Sequence, residues 1–454
     1  MSSIGIAITA LLLIQPPADF TFCASTEECT VGEACIGGAC ESLSDPTVFR
    51  LFPMAVDRIF DVDKQSRSSQ VSNRLFTHLH QQLSWSGFFT VLNESTYPPQ
   101  RTLEHLGKTT VDYQAWHDIG AYAVVKGALR RQNGELRITL RLYLTEAGRW
   151  AELPFEEQRL PSADPLAVKR AASRWVDGVI RHFTGKAGVL SMQLAFAHRL
   201  KRGGSKEIRV MDIDGEFERH VTQNGSINVL PAWTSRGVIA YTSFKKNNPD
   251  LYIGNRPFST RPRMNTGAAF YRDGKKVALT LSRDGNPEIY VLDSVSGKER
   301  LRVTHHPAID TSPTWSPEGN ELAFVTDRYT GRPQIARFNL KSAQVDRLPQ
   351  VGGYNTGPDW SPIGPRIVYS AMTGGERYQI FEIQLGTNVV RRLTETGSNE
   401  EPCFSADGRY IAFSSDRSGS RAIWIMTSDG REARQVSRGP GEYFTPAWER
   451  PPVR

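Results

Sequence analysis

The sequence predicts an α+β N-terminal domain followed by an all-β, six-bladed β-propeller that the C-terminal strand closes. Three observations support this: a repeat in the second half, a lone copy of its first motif at the C-terminus, and a different, partly helical pattern over residues 44–186. The chain has 454 residues, of which 39% are hydrophobic and 10% aromatic. It is therefore long enough for two or three globular domains and is not of disordered composition.

The repeat is marked by an aromatic residue that recurs every 37 to 45 residues. One copy reads Ser-Pro-Thr-Trp-Ser-Pro-Glu-Gly at 312–319, followed by Thr-Asp-Arg at 326–328, and another reads Glu-Pro-Cys-Phe-Ser-Ala-Asp-Gly at 401–408. This period is typical of a four-stranded propeller blade. The six aromatic anchors are Trp233, Phe270, Trp315, Trp360, Phe404 and Trp448.

Each part of the repeat has a physical role. The anchor is expected at the end of an inner strand, packed between blades, where burial of such a side chain contributes about 1.5 to 3 kcal/mol. The Asp-Gly or Glu-Gly that follows forms a tight turn, and alternating apolar runs such as residues 411–413 form the next strand. The Asp-Arg pairs, Asp327-Arg328 and Asp416-Arg417, recur from blade to blade, which indicates structural turns and not catalytic pairs.

The ends of the repeat region predict how the ring closes. Residues 191–222 contain later strands of a blade but lack the aromatic first-strand motif. Residues 445–448 supply that motif alone and match residues 230–233. The C-terminal strand is therefore expected to complete the first blade, giving a propeller over residues 187–454 without exposed sheet edges.

The preceding domain, residues 44–186, has helical and strand patterns. Apolar residues recur every four positions from 71 to 83 and end at Gly87, which predicts an amphipathic helix with a glycine cap. A strand is expected at 88–92, a short helix at 113–119, a hairpin turning at Asn133-Gly134, and a closing helix at 165–183. Together these elements predict a compact α/β unit.

The first 22 residues are interpreted as a signal peptide. The apolar run at residues 4–14 is too short to cross a bilayer, for which about 20 residues are needed, but it suits a signal-peptide core. The alternative is an ordinary buried apolar N-terminus, since no Lys or Arg precedes the run. Nothing later in the sequence has the pattern of a transmembrane span.

Residues 23–43 form a cysteine-rich segment that holds four of the five cysteines. The segment has almost no core-forming side chains, so two disulfides are expected to hold it together, in an oxidising compartment. Three pairings are open; zinc binding is disfavoured because Cys-x-x-Cys spacing is absent. The disulfide candidates are Cys23, Cys29, Cys35 and Cys40, while Cys403 is expected to be a small core residue.

Composition and motifs argue against several functions. The excess of 55 Lys and Arg over 48 Asp and Glu is mild and scattered, so nucleic acid is not an expected partner. No nucleophile elbow, zinc-protease motif, P-loop or dinucleotide fingerprint is present, and we predict no catalytic residues, no metal and no cofactor. His305-His306 is interpreted as surface histidines.

The repeat resembles that of the TolB family, the periplasmic propeller of the Tol-Pal envelope system. Ser-Gly-Phe-Phe at 86–89, the run at 119–127 and the helix end at 182–185 are also similar to that family's N-terminal domain, in the same order. The resemblance covers residues 44–454. It implies a non-catalytic periplasmic scaffold that binds the peptidoglycan-associated lipoprotein, Pal, and supports outer-membrane integrity and envelope constriction in cell division.

The resemblance also implies where Pal binds: at one end of the propeller channel, on segments just before each aromatic anchor. Met264 stands where the family often has His. The alternative reading of these residues is that they only cap strands and turns. The implied partner-binding residues are Leu230, Met264, Asn265, Thr266, Asp310, Thr311, Asn355, Thr356, Glu400, Glu401, Phe444 and Thr445.

The cysteine-rich segment departs from the family pattern. Family members begin with a short flexible segment that reaches TolA, an inner-membrane partner, and a disulfide-tied knot cannot pair as an extended strand in the same way. We therefore expect TolA-type binding to be altered or absent. A different class of function also stays open: a secreted propeller enzyme or carbohydrate-binding protein that uses the channel. Such a protein should have several His or acidic residues on its inner strands, and His305, His306, Glu400 and Glu401 are few for that purpose.

Overall fold

The computed structural model describes residues 33–36, 39–42, 52–98, 106, 111–375 and 377–450. The predicted signal peptide, Cys23 and Cys29 lie outside the described residues. Within the cysteine-rich segment, strands β1 (Glu33–Ile36) and β2 (Ala39–Ser42) pair antiparallel. The register sets the backbone of Cys35 directly opposite that of Cys40.

The N-terminal domain is a mixed sheet with helices packed against it. The sheet order is β5-β3-β6-β7-β8, with β4 beside β6 and β9 beside β7; β3 is parallel to both neighbours and β6 and β7 form a hairpin. The elements are β3 (Phe52–Val56), β4 (Phe60–Asp61), α1 (Gln70–Trp85), β5 (Phe89–Val91), a 3-10 turn (Glu94–Thr96), α2 (Tyr113–Asp118), β6 (Ala123–Gln132), β7 (Glu135–Leu144), β8 (Arg149–Ala151), β9 (Glu157–Leu160) and α3 (Pro165–Thr184).

The helices begin and end where local chemistry favours it. Ser69 caps α1 by accepting the backbone N–H of Ser72, and Gly87 after the helix has a φ of +73°. Asp164 caps α3 in the same way, and Gly185 ends it in the left-handed conformation. Both long helices bury the apolar faces that the sequence predicted, and the Asn133-Gly134 turn joins β6 to β7 as expected.

The rest of the described chain forms six four-stranded antiparallel sheets, numbered here as blades one to six. Blade one contains β10 (Gln193–Arg199), β11 (Glu207–Asp212) and β12 (Arg219–His220). Blades two to six take four consecutive strands each. Blade two has β13 (Asn228–Trp233), β14 (Ile239–Ser243), β15 (Asp250–Ile253) and β16 (Arg256–Ser259); blade three has β17 (Asn265–Phe270), β18 (Lys276–Leu281), β19 (Glu288–Asp293) and β20 (Glu299–Arg302); blade four has β21 (Asp310–Trp315), β22 (Glu321–Thr326), β23 (Gln334–Asn339) and β24 (Gln344–Arg347). Blade five has β25 (Tyr354–Trp360), β26 (Arg366–Met372), β27 (Tyr378–Gln384) and β28 (Val389–Arg392); blade six has β29 (Asn399–Phe404), β30 (Tyr410–Ser415), β31 (Ala422–Thr427) and β32 (Arg434–Gln435).

The C-terminal strand closes the ring as predicted. Strand β33 (Glu442–Trp448) pairs antiparallel with β10 and becomes the innermost strand of blade one. Every blade therefore has an innermost strand that ends at an aromatic anchor, and all six anchors are buried. The indole N–H of Trp315 donates to the carbonyl of Ala269 at 2.9 Å, and that of Trp233 to Ala447 at 3.0 Å, so these anchors bond the neighbouring blade as well as packing against it.

The N-terminal domain packs on the end of the propeller at which the inner strands finish, beside blades one and six. One continuous cluster of buried apolar residues runs from α1 and α3 into β10, β30 and β31. The guanidinium of Arg434 stacks on Trp85, 3.6 Å from the ring centroid, and the hydroxyl of Tyr410 donates to the carbonyl of Ser86. Lys169 of α3 is buried and forms an ion pair with Asp214 at 2.7 Å. We call this end the anchor end and the opposite one the free face.

Candidate functional site

A ring of six equivalent residues surrounds the channel near the free face. Each lies three positions before an anchor, where the register of the innermost strand shifts, and each has a φ between +48° and +64°. A bulge of this kind re-aims the strand, and at the four positions that are not glycine the left-handed conformation persists only where the surroundings fix it. The channel ring consists of Leu230, Gly267, Ser312, Gly357, Glu401 and Thr445.

A cavity of about 220 Å³ lies in the channel, lined by the channel ring and by the residues that follow it on the innermost strands of all six blades. A second cavity of about 330 Å³ lies at the anchor end of the channel, between the aromatic anchors. A water molecule occupies about 30 Å³ of liquid, so either cavity has room for several waters or one or two side chains. A partner could therefore insert a short segment into the channel, but not a folded domain.

Asp359 is an acidic residue of the channel wall, one position before the anchor Trp360. It accepts the backbone N–H of Phe404 at 2.7 Å and the hydroxyl of Thr314 at 3.2 Å, and the guanidinium of Arg450 lies 3.8 Å away. Burial raises the pKa of Asp359 above its ordinary value, although Arg450 and these donors act in the opposite direction. Its contacts tie blades four, five and six together, so its first role is structural.

Glu401 is the charged member of the channel ring. Its carboxylate accepts the backbone N–H of Thr445 at 2.6 Å and the hydroxyl of Ser414 at 3.1 Å. Burial raises the pKa of Glu401, and the neighbouring carboxylate of Glu400 adds to that rise. Within the described ranges, no three His, Cys, Asp or Glu side chains come together as a metal site.

Three of the residues that the sequence suggested as partner contacts are fully buried at the start of an innermost strand. The amide of Asn265 donates to the carbonyls of Arg261 and Arg263, and that of Asn355 donates to Gln350 and Gly352. Asp310 accepts the guanidinium of Arg328 at 2.6 Å. These side chains hold the connection that precedes each strand and do not reach solvent, so a partner cannot touch Asn265, Asp310 or Asn355 directly.

Most of the other suggested residues reach the free face in part. Phe444 is one of them, and three cations surround its ring: Lys206 at 4.0 Å, Arg199 at 5.2 Å and Arg421 at 5.6 Å from the centroid. Glu400 forms an ion pair with Arg421 at 2.6 Å. The remaining partly or fully exposed members are Leu230, Met264, Thr266, Thr311 and Thr356.

The free face also exposes large apolar side chains that the sequence reading missed. Most lie in the connections between strands, and Tyr354 begins β25; an apolar residue beside polar residues or glycine is the only signal in the sequence. An exposed apolar patch is typical of an interaction surface. They are Leu200, Ile227, Phe244, Ile309, Tyr329, Val351 and Tyr354.

These features define a class: a six-bladed propeller protein whose preceding α/β domain covers part of one end and leaves the other free. Residues 46–149 match the family model described as the TolB amino-terminal domain, and residues 180–451 match that of the TolB beta propeller domain. The chain belongs to the TolB family.

Relatives agree with this assignment. The "Tol-Pal system protein TolB" of Anaeromyxobacter dehalogenans is 32% identical over 51% of this chain and 52% of its own length, and the "Protein TolB homolog" of Chlorobium chlorochromatii is 32% identical over 58% of each. The chain thus spans little more than half the length of the curated relatives it matches. The crystal structure of TolB from Acinetobacter baumannii has the same fold, with a TM-score of 0.73 and 24% identity over 88% of this chain and 96% of that one.

No helix in the described ranges is long and apolar enough to cross a membrane.

Proposed function

We propose that this protein is a non-catalytic periplasmic scaffold of a Tol-Pal system, which binds the peptidoglycan-associated lipoprotein through its free face. In this role it supports outer-membrane integrity and envelope constriction during cell division. The proposal rests on membership of the TolB family together with one structural observation: the propeller end opposite the N-terminal domain exposes apolar side chains around the channel mouth.

The geometry of the free face suits a protein partner. Six blades set short connections around one channel mouth on a rigid scaffold, and the mouth has room for an inserted side chain or short segment. Among the suggested residues, Leu230, Met264, Thr266, Thr311 and Thr356 are accessible enough to touch such a partner. Glu401 and Thr445 would act indirectly, because their mutual hydrogen bond shapes the rim.

The test is a pull-down of the purified protein, under non-reducing conditions, from detergent-solubilised envelopes of its own organism, with mass spectrometry of what is retained. Recovery of a peptidoglycan-binding lipoprotein is the expected result. Clean absence of that lipoprotein, with the bait folded, would favour a carbohydrate-binding or enzymatic role for the channel instead.

A further inference from the structure

Two neighbouring connections on the free face have the same unusual composition. The β10–β11 connection of blade one begins Leu200-Lys201-Arg202, and the β14–β15 connection of blade two begins Phe244-Lys245-Lys246. Leu200 is 54% exposed and Phe244 is 38% exposed, and the four cations that follow them are exposed as well. Each connection thus presents one large apolar side chain followed directly by two positive charges.

Phe244 replaces a residue that stabilises the same turn in other blades. Asp327 of blade four accepts the backbone N–H of Ile309 at 2.8 Å, and Asp416 of blade six accepts that of Ser398 at 2.7 Å. Ser282 plays this part in blade three for Met264. A phenylalanine cannot accept such a bond, so the chain gives up a stabilising contact here in favour of an exposed aromatic ring.

The chain segment between these connections adds a third apolar residue. The carbonyl of Ile227 accepts the backbone N–H of Phe244 at 3.0 Å, and Ile227 forms a β-bridge with Lys206 of the β10–β11 connection. Ile227 is 48% exposed. The three apolar side chains therefore belong to contiguous segments of blades one and two. We call the residues 200–206, 227 and 244–246 the basic edge.

The cations of the basic edge are largely without acidic partners. Lys201, Arg202 and Lys246 form no ion pair with any described residue, and Lys245 stacks on the ring of Tyr252 at 3.8 Å. A nearby acid, Glu207, is occupied by the backbone N–H groups of residues 224 and 225. Lys201, Arg202 and Lys246 therefore leave positive charge beside the exposed apolar groups, whereas Lys206 interacts electrostatically with Glu401 and Glu442.

We propose that the basic edge binds the surface of an anionic phospholipid bilayer. A bilayer offers phosphate charge in its outer layer and hydrocarbon just beneath, so Lys and Arg can meet the headgroups while Leu200, Ile227 and Phe244 enter the boundary below them. A protein interface instead buries its apolar residues centrally and leaves its charges at the rim. On the basic edge the apolar residue and the cations are adjacent in each connection, which favours the bilayer.

This binding goes beyond the scaffold role proposed above and does not depend on it. The ligand is a lipid surface and not a lipoprotein, and the residues lie in blades one and two. Contact with a bilayer would hold one edge of the free face beside a membrane, while Met264, Thr266, Thr311 and Thr356 stay available to a protein partner.

The test measures flotation of the full chain with vesicles of phosphatidylcholine, alone or with about 30% phosphatidylglycerol, at low and high salt. We expect binding only to the anionic vesicles, and weaker binding as salt rises. Each Lys or Arg near such a surface contributes roughly a fivefold gain in affinity, so Lys201→Glu with Lys246→Glu should weaken binding by about 25-fold or more. Leu200→Ser with Phe244→Ser should weaken it at both salt concentrations.

Matched controls lie at the anchor end. Val295 is 64% exposed, and Lys298 and Lys341 are exposed as well, so Val295→Ser and the pair Lys298→Glu with Lys341→Glu change the same chemistry on the other side of the propeller. These controls should float as the wild type does. The proposal is overturned if the wild type does not float, if it floats equally with neutral vesicles, or if the controls lose as much binding as the edge variants. Absence of flotation together with loss of lipoprotein capture in the edge variants would assign the basic edge to a protein interface.

Discussion

The carboxylate of Glu401 accepts the backbone N–H of Thr445 at 2.6 Å, and this hydrogen bond joins the innermost strand of blade six to the strand that closes blade one. Both residues belong to the channel ring and both have positive φ values. The ring is therefore closed by the pairing of β33 with β10 along one edge and, towards the neighbouring blades, by contacts that include this charge-assisted bond. The same bond shapes the mouth of the channel on the free face.

Loss of the Glu401 carboxylate should loosen the closing strand. Glu401→Ala leaves the N–H of Thr445 without its acceptor, and we expect a loss of about 2 kcal/mol in the free energy of unfolding. Glu401→Gln keeps an acceptor and should stay within about 1 kcal/mol of the wild type. Hydrogen exchange of the peptide covering β33 checks this, with the exposed Glu395→Ala as a control. Wild-type protection of β33 in Glu401→Ala would show that strand pairing alone closes the ring.

The scaffold proposal predicts which face must stay unblocked. Met264→Arg and Thr311→Arg place a long cation beside the channel mouth in blades three and four, and we expect each to reduce capture of the lipoprotein by about tenfold or more. Val295→Arg at the anchor end, which is already exposed, should leave capture unchanged. Titration of the purified lipoprotein measures this, and thermal unfolding verifies that each variant is folded. Equal affinity of all three variants would place the interface elsewhere.

Most of the fold could be predicted from the sequence because the repeat is regular. The anchor positions from Trp233 to Trp448 located each innermost strand, and the isolated motif at residues 445–448 predicted the closure that β33 makes with β10. The short strand β3 went unpredicted, although it lies between β5 and β6 in the sheet, because its five residues carry no periodicity that separates them from a buried loop.

The candidate site was predicted less well, for a physical reason. Position relative to the anchor could show that Asn265 and Asn355 begin innermost strands, but not that their amides turn back into the preceding connection. Exposure of Phe244 likewise follows from the path of a connection and not from any motif. The places where the chain departs from its own repeat were the better signal: Phe244 stands where blades three, four and six have Ser282, Asp327 and Asp416.

The backbone of the cysteine-rich segment selects among the three possible disulfide pairings. Directly opposed residues of an antiparallel pair have Cα atoms about 4.5 to 5.5 Å apart, within the range that a disulfide requires. Because β1 and β2 set Cys35 opposite Cys40, we expect a Cys35 to Cys40 bond and, by difference, a Cys23 to Cys29 bond. Peptide mapping under non-reducing conditions, with free thiols blocked beforehand, measures the pairing. A Cys23 to Cys40 or a Cys29 to Cys40 peptide would contradict this register.

The same segment should change how the protein meets an inner-membrane partner. A disulfide-tied hairpin cannot lie along another protein as a free extended strand, so we expect the mature chain to capture little TolA-type protein. A variant that begins at Leu43 should capture equally little, because the binding element is then missing. Reduction of the mature chain is the informative comparison: a gain in capture on reduction would show that the disulfides mask a competent segment, and strong capture before reduction would refute the expectation.

Asp177 should make stability depend on pH at the junction between the two domains. Its carboxylate lies in α3 and accepts the backbone N–H of Leu190 at 2.7 Å and that of Ser191 at 2.9 Å, and burial raises its pKa from 3.8 to about 7. The folded protein thus favours the protonated form. The stabilisation of the folded state that Asp177 contributes is fully present below pH 3.8 and is lost as pH rises through about 7. The free energy of unfolding of the wild type minus that of Asp177→Asn should therefore fall as pH rises from about 4 to 8. The same difference taken against the exposed Glu146→Gln variant should not change with pH. Parallel pH profiles for the wild type and Asp177→Asn would mean that the hydrogen bonds from residues 190 and 191 keep Asp177 ionised throughout.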